Sequence, residues 1–548
     1  MTTIRSAVVI AQQRQLDWLL GEVLGSEAVR ARAPAAHLRP WLAAALLALG
    51  LAAAFGTALL RDESASAPAQ EPVPEPVETI EWYECHGPAR IDQIPADVVN
   101  LKCFDFDDAA MVHLGHFAKL LRLDLSGMDV NERGYAVSLK ITDAGLFHLN
   151  GVLQLRWLSL AGCHEVKGPG LRALENLPQL EHLDLTYSGV ESPAIERLPE
   201  LFSLRELSLS HCMNFHGRSL AEVAKVAGLR RLALRGCTTL AAADVMPLAK
   251  LTQLRHLDLR DCQGRFRGQR ASGFGTDDEE PPPPPVEDGI GITDACLAAL
   301  GDLKLETLLL GGSESLTDAI GATLAKMTTL RTLDLSNLPK TTNAVLADVP
   351  DSLTSLRLDD NHQFTDAGLR ALPALPALRE LGLGASPELS DRGIADLLAG
   401  RRLAVLALGG VQSATKVGEL FRRTLAGELV DAVATQRELR SLDLQRTRVD
   451  SRTLRRIAAL PALAELNLTS SIVLPGGLDE LARATTLHSL NLTWVEGVAV
   501  GDLGRTAPNL RQLNLYGTKL DATAVREALA SRHELAITMP DGQRYRVP

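Results

Sequence analysis

The side chains able to do chemistry are few and scattered. His113 and His116, or His211 with Cys212 and His216, have the types but not the spacing of a metal site. No HExxH, paired CxxC, GxxxxGK[ST] or GxSxG occurs, and Gly382-Leu-Gly384 lies inside a repeated apolar pattern rather than at a phosphate loop. The expectation is therefore no enzyme, no metal and no cofactor. What remains is the chemistry of recognition. Trp157, His182, Glu206, Arg231 and His256 recur every 24–25 residues, with Arg235 and Arg260 four residues beyond Arg231 and His256. Asn467, Asn491 and Asn514 recur likewise, with Trp494 and Tyr516 beside them. Tryptophan, tyrosine and arginine are the types that dominate binding hot spots. The first set is the expected partner-binding surface and the second its rival; the stretch between is bland, with Gly382, Gly384, Ala407 and Gly409.

The elements that must position these residues are set by a repeat. L-x-x-L-x-L begins at Leu101, Leu120, Leu155, Leu180, Leu204, Leu229, Leu254, Leu305, Leu330, Leu353, Leu378, Leu403, Leu439, Leu463, Leu487 and Leu510. That makes sixteen units, and most of the spacings are 23–25 residues. Near its end each pattern has period two, as a strand does. ITDAG (141–145), ITDAC (292–296), LTDAI (316–320), FTDAG (364–368) and LSDRG (389–393) precede helical patterns, with Thr or Asp as the cap. Each unit reads strand, turn, helix, and none can bury its leucines alone, so the units must stack. Cys163, Cys212, Cys237 and Cys262 each lie eight residues after the first leucine of their unit, where Ser188 and Asn361 stand elsewhere.

The pattern resembles the leucine-rich repeat family, L-x-x-L-x-L-x-x-N/C, and its cysteines resemble the subclass known from F-box substrate receptors and bacterial proteins. The resemblance implies an α/β solenoid, a right-handed curved horseshoe over 101–548 with a parallel sheet on the concave face and helices on the convex face. It also implies protein binding on the concave face. Four spacings are irregular. The first unit is short, and a small insertion covers Gly127 to Leu139. Residues 263–290 hold Arg265, Arg267, Arg270, an acidic run from Asp277 to Glu280 and five prolines, and read as a disordered insertion or a docking motif that could shield the face. Val417 to Val433 reads as an enlarged helix. Leu535 to Ile537 is expected to be a last strand.

The amino-terminal part differs. Trp41 to Leu60 carries no charge, and twenty helical residues span about 30 Å, one hydrocarbon core. The preferred reading is a single transmembrane helix over 41–60; a cleaved signal peptide ending near Ala65-Ser66-Ala67 and a buried soluble helix are the alternatives. Arg30, Arg32 and Arg39 precede the span, whereas Arg61 is followed by no Lys or Arg until Arg90. This predicts a cytoplasmic segment 1–40 and a repeat domain outside the cytoplasm. Leu16, Leu19, Leu20, Val23 and Leu24 form one helix face, for the membrane surface or a cytoplasmic partner. Residues 61–80, rich in Pro and Glu, read as a stalk and 81–100 as a cap. Cys85 and Cys103 are candidates for a disulfide in an oxidising compartment; the four repeat thiols favour the opposite orientation. Hydrophobic residues make up 46% and the net charge is −11, which excludes wholesale disorder and a general nucleic-acid binder. Alanine and arginine usage reads as bacterial. A soluble substrate-recognition subunit of a ubiquitin ligase is the alternative function.

Overall fold

The computed structural model describes residues 81–126, 129–130, 136–137, 140–262, 291–410, 423–425 and 427–547. The expected membrane helix 41–60, the stalk and the insertion 263–290 lie outside the described residues. The chain divides into two units: residues 1–81 with 271–274, of which Glu81 alone is described, and the remainder, which is the repeat array. Among the described residues no helix is long and apolar enough to cross a membrane.

The array follows from one arithmetic. In Leu229-Arg-Arg-Leu232-Ala-Leu234 all three leucines are fully buried, while Arg231 and Ala233 look outward from the strand Arg231–Ala233. The strand is three residues long, and the next unit repeats it in register: Leu207, Leu232, Leu257 and Leu308 face one another across parallel strands. The same pairing runs from Asn100–Phe104 to Gln512–Asn514, so equivalent leucines stack into a continuous apolar seam. The strands on either side of the insertion in sequence, His256–Asp258 and Thr307–Leu309, pair directly, so the stack of strands is continuous there.

After most of the described repeat strands the chain turns through a left-handed residue four places beyond the central leucine. Gly162, Gly236 and Gly517 hold this place, but so do Tyr187, His211, Asp261, Asn337, Arg446 and Trp494, each with φ between 52° and 57°. The turn is braced by the residue at the third strand position. Asp124, Asp184, Asp258, Asp334, Asp443, Asn467, Asn491 and Asn514 each accept the backbone N–H two residues on, at 2.8–3.0 Å. The cysteine position then closes the unit. Cys163, Cys212, Cys237 and Cys262 donate their thiols to a leucine carbonyl of the preceding unit at 3.0–3.3 Å, as the Asn361 amide does at 3.0 Å. A buried carbonyl without a partner is costly, so a small donor is required there. Burial pushes the Cys163 and Cys212 thiols up to about 12.

On the opposite side of the array the Thr-Asp motif has two jobs. Thr342 accepts Ala344 N–H at 3.3 Å and so caps its own helix, Asn343–Leu346. Its own N–H and hydroxyl donate to both carboxylate oxygens of Asp318 in the unit before, each at 2.7 Å. Asp108 with Thr142, Asp294 with Thr317 and Asp366 with Ser390 repeat this bracket. The threonine is the cap; the aspartate ties neighbouring units together.

Three expectations change in detail. The helix expected from Val417 begins at Gly427 and ends at Ala434; Arg423–Thr424 is instead a strand of a small parallel sheet with Thr447–Val449 and Ile472–Val473. Within 127–139, Asp129–Val130 and Ala136–Val137 pair antiparallel. At the carboxyl end Ala536–Thr538 is the expected strand, but an antiparallel strand, Arg544–Arg546, follows and covers its edge. At the other end Tyr83–His86 covers the first repeat strand, and Cys85 stands opposite Cys103 in register. Both are buried free thiols.

Candidate functional site

The outward positions of the strands form rows across the open face of the sheet. Trp157, His182, Glu206, Arg231 and His256 are successive members of one row. The sequence therefore places them together, but the structure changes what they can do. Trp157 stacks on His182, with ring centroids 5.0 Å apart and planes at 14°. His182 Nδ1 lies 3.0 Å from Glu206 Oε2, and Arg231 Nε lies 3.6 Å from the same oxygen. Burial works against the Glu206 carboxylate, yet His182 and Arg231 hold its pKa below the usual value. His256 is pushed down to about 3 by burial and by Arg231, so it is neutral at physiological pH.

Arg235 and Arg260 were expected as exposed anchors. Arg235 Nε donates to Asp261 Oδ2 at 3.0 Å, with 18% of its side chain exposed. Arg260 grips Asp258 with two bonds, Nε at 3.0 Å and a terminal nitrogen at 2.7 Å, and reaches Asp334 at 4.0 Å. Burial disfavours the Asp258 carboxylate, but Arg260 more than offsets this and lowers its pKa. These two arginines are tied into the sheet, Arg235 by a carboxylate of the next unit and Arg260 chiefly by one of its own.

Sequence reasoning missed three aromatic partners. Trp82, just before the first strand, meets Trp157 edge to face, with centroids 5.5 Å apart. Tyr187 and His211, both at the left-handed turn position, stack at 4.3 Å with nearly parallel planes. His211 rests against Gly236, where an added Cβ would come within 2.4 Å of the imidazole. The available signal was the 24-residue spacing of Tyr187 and His211 at a place more often held by Gly, Asp or Asn.

At the rival end, Asn467, Asn491 and Asn514 form a row, and their carbonyl oxygens are occupied by their own turns. Thr469 and Thr493 hydroxyls donate to the same oxygens at 2.6 Å. Trp494 is 39% exposed, meets Tyr516 edge to face at 5.7 Å, and lies over Gly517, where a Cβ would come 2.4 Å from the indole. Of the histidines considered for metal, His113 pairs with Asp92 at 2.9 Å and Cys212 is fully buried. Among the described residues no group of three or more His, Cys, Asp or Glu is placed to hold a metal ion.

The leucine-rich repeat family profile matches residues 351–372, one of the sixteen units. A search of curated proteins finds no match. Among solved structures, an internalin from Listeria monocytogenes is 19% identical, over 69% of this chain and 82% of that one, with a TM-score of 0.34. A TLR13–ssRNA13 complex is 17% identical, over 78% and 67%, at 0.41. A leucine-rich repeat protein of Leptospira interrogans is 18% identical, over 84% and 100%, at 0.35. The profile match and the stacked strand–turn–helix units together make the array a leucine-rich repeat solenoid, a scaffold that is generally protein-binding and typically non-enzymatic.

Proposed function

We propose that the array binds a protein partner on the open face of its sheet, at the end that carries Trp82, Trp157, His182, Tyr187 and His211. The observation that carries this is where the tryptophans lie. None of Trp82, Trp157 and Trp494, the three tryptophans among the described residues, is in the core, and Trp157 packs on both Trp82 and His182 at the surface of the sheet. Amphipathic rings held on a rigid sheet offer contact area at small ordering cost. Of the residues first singled out, Trp157 is the anchor, His182 and Glu206 orient it, and Arg231, Arg235, His256 and Arg260 form a charge-compensated floor.

The test is affinity for a captured partner. Trp157→Ala with Tyr187→Ala should weaken binding by more than ~2 kcal/mol, the scale of a hot spot. A loss confined to Trp494→Ala with Tyr516→Ala would move the site to the far end. Retained affinity in both pairs would place it off this face. The same proposal sets the array on a membrane anchor at 41–60, outside the cytoplasm, with Arg30, Arg32 and Arg39 on the retained side. A reporter active only outside the cytoplasm, fused after residue 80, should be active. Silence there, with a soluble chain on fractionation, would favour the alternative of a soluble substrate receptor.

A further inference from the structure

From Lys102 to Arg357, most of the cations on the open face are neutralised by an adjacent carboxylate. Lys102 lies 3.5 Å from Asp124, Arg231 3.6 Å from Glu206, Arg235 3.0 Å from Asp261, Arg260 2.7 Å from Asp258 and Arg357 3.0 Å from Asp359. At the amino-terminal end of the face Arg122 is the exception: among the described residues its guanidinium makes no hydrogen bond or ion pair, as is true at the far end of Arg544 and Arg546. Its place is as unusual as its freedom. Arg122 stands in the row of Trp157, one strand before it and one strand after Asn100. Tyr83 faces Leu101, so Trp82 enters the same row beside Asn100. Three strand spacings of about 4.8 Å separate Trp82 from Trp157 along the sheet, yet their rings meet at 5.5 Å. The two indoles therefore lean toward each other across the strands of Asn100 and Arg122. Neither indole N–H has an acceptor among the described residues. Farther along the row, Nε2 of the buried His182 also lacks a partner.

We propose that Arg122, flanked by Trp82 and Trp157, is the recognition site for a side-chain carboxylate of an extended acidic peptide segment in the protein partner. The inference rests on the binding face assigned above and names what that face selects. A guanidinium presents a planar fork that matches a carboxylate with two parallel bonds. The indole N–H groups add donors, and the ring faces provide apolar walls for the aliphatic part of a glutamate and its backbone. The acids nearest in the sheet, Asp124 and Glu84, are engaged by Lys102 and His86. A long polyanion such as nucleic acid needs many cations, and this site has one free cation on a chain of net charge −11.

The experiment is a fluorescence-anisotropy titration of the full-length chain with labelled hexaglutamate, capped at both ends. Capped hexaglutamine controls for backbone binding and free acetate tests for a small-acid site. Hexaglutamate should bind, hexaglutamine should not, and millimolar acetate should not displace the peptide. Arg122→Ala should weaken binding about tenfold, the loss of ~1.4 kcal/mol. Arg122→Lys should recover part of it, and Trp157→Phe should weaken it less than Arg122→Ala. Arg357→Ala, elsewhere on the face, should leave it unchanged. Equal binding of hexaglutamine, full displacement by acetate, or indifference to Arg122→Ala overturns the assignment. If Trp157→Ala with Tyr187→Ala still weakens the natural partner while hexaglutamate does not bind, the face stands and the carboxylate reading falls. If that pair leaves the partner unaffected, the face itself is wrong.

Discussion

Arg260 should be a residue of the fold before it is a residue of binding. Its guanidinium makes two bonds to Asp258, at 3.0 and 2.7 Å, and only 15% of its side chain and 7% of that of Asp258 are exposed. Replacing Arg260 by Met keeps the stem but leaves Asp258 charged and without its partner. Removing one member of a buried pair costs about 3–5 kcal/mol, and because this pair lies on an open face the lower end applies, about 3 kcal/mol. Other units show how the same turn closes without an ion pair. Asp184 accepts from the Thr186 hydroxyl at 2.5 Å, and Asn491 accepts from the Thr493 hydroxyl at 2.6 Å. Arg260→Thr should therefore cost less than Arg260→Met, and Asp258→Asn with Arg260→Thr should cost least. The assay is amide hydrogen exchange at Leu257 and Leu259, since opening in a stacked array is local. A loss of 3 kcal/mol lowers protection about a hundredfold. The pH dependence has a defined sign. The folded pKa of Asp258 is depressed, so the pair contributes stability above the unfolded value near 4 and loses it as pH falls through the folded one. The Met penalty should be full at pH 7 and fade below about pH 4. Equal protection in Met and Thr variants, or a penalty that persists in acid, would refute the reasoning.

Asp443 should behave in the opposite way. Burial raises its carboxyl to about 6, so its contribution to stability is present at low pH and lost as pH rises through that value. Asp443→Asn, the residue found at the same position in the next three units, should stabilise the chain by about 1–2 kcal/mol at pH 7.5 after discounting for solvent, and not at all at pH 3.5; denaturation at the two pH values decides it. Leu257→Ala should cost about 2–5 kcal/mol, because Leu257 is fully buried between Leu232 and Leu308. Deleting 266–286 should cost little, since the strands on either side already pair and loop closure depends weakly on length; equal melting shifts from the two changes would tie the insertion to the fold. All seven cysteines are buried free thiols, and burial raises their pKa, so iodoacetamide should label none until the chain is unfolded; labelling of the native chain at Cys85 or Cys103 would show the amino-terminal edge to be open.

The amino-acid sequence alone determined the repeat: which leucines are buried, that strands are followed by turns and helices, and that the cysteines close the units. The physical reason is that each unit touches only its neighbours, so a pattern of 23–25 residues already contains nearly all the contacts a unit makes. It also placed Trp157, His182, Glu206, Arg231 and His256 in one row, because identical spacing becomes identical register. What it left open is settled where side chains meet across units. Arg260 could have pointed to solvent; the carboxylates of Asp258 and Asp334 beside it hold it in the sheet. The threonines of the TD motifs were legible as caps, but the aspartates' reach to the next unit appears only when the units stack. Trp82 lies far from Trp157 in sequence and outside the repeat, so no period announces it; a covering strand in register with the first repeat carries it into their row. The free Arg122 was invisible for the same reason, since a charge is unpaired only relative to neighbours, and those neighbours belong to other turns of the chain.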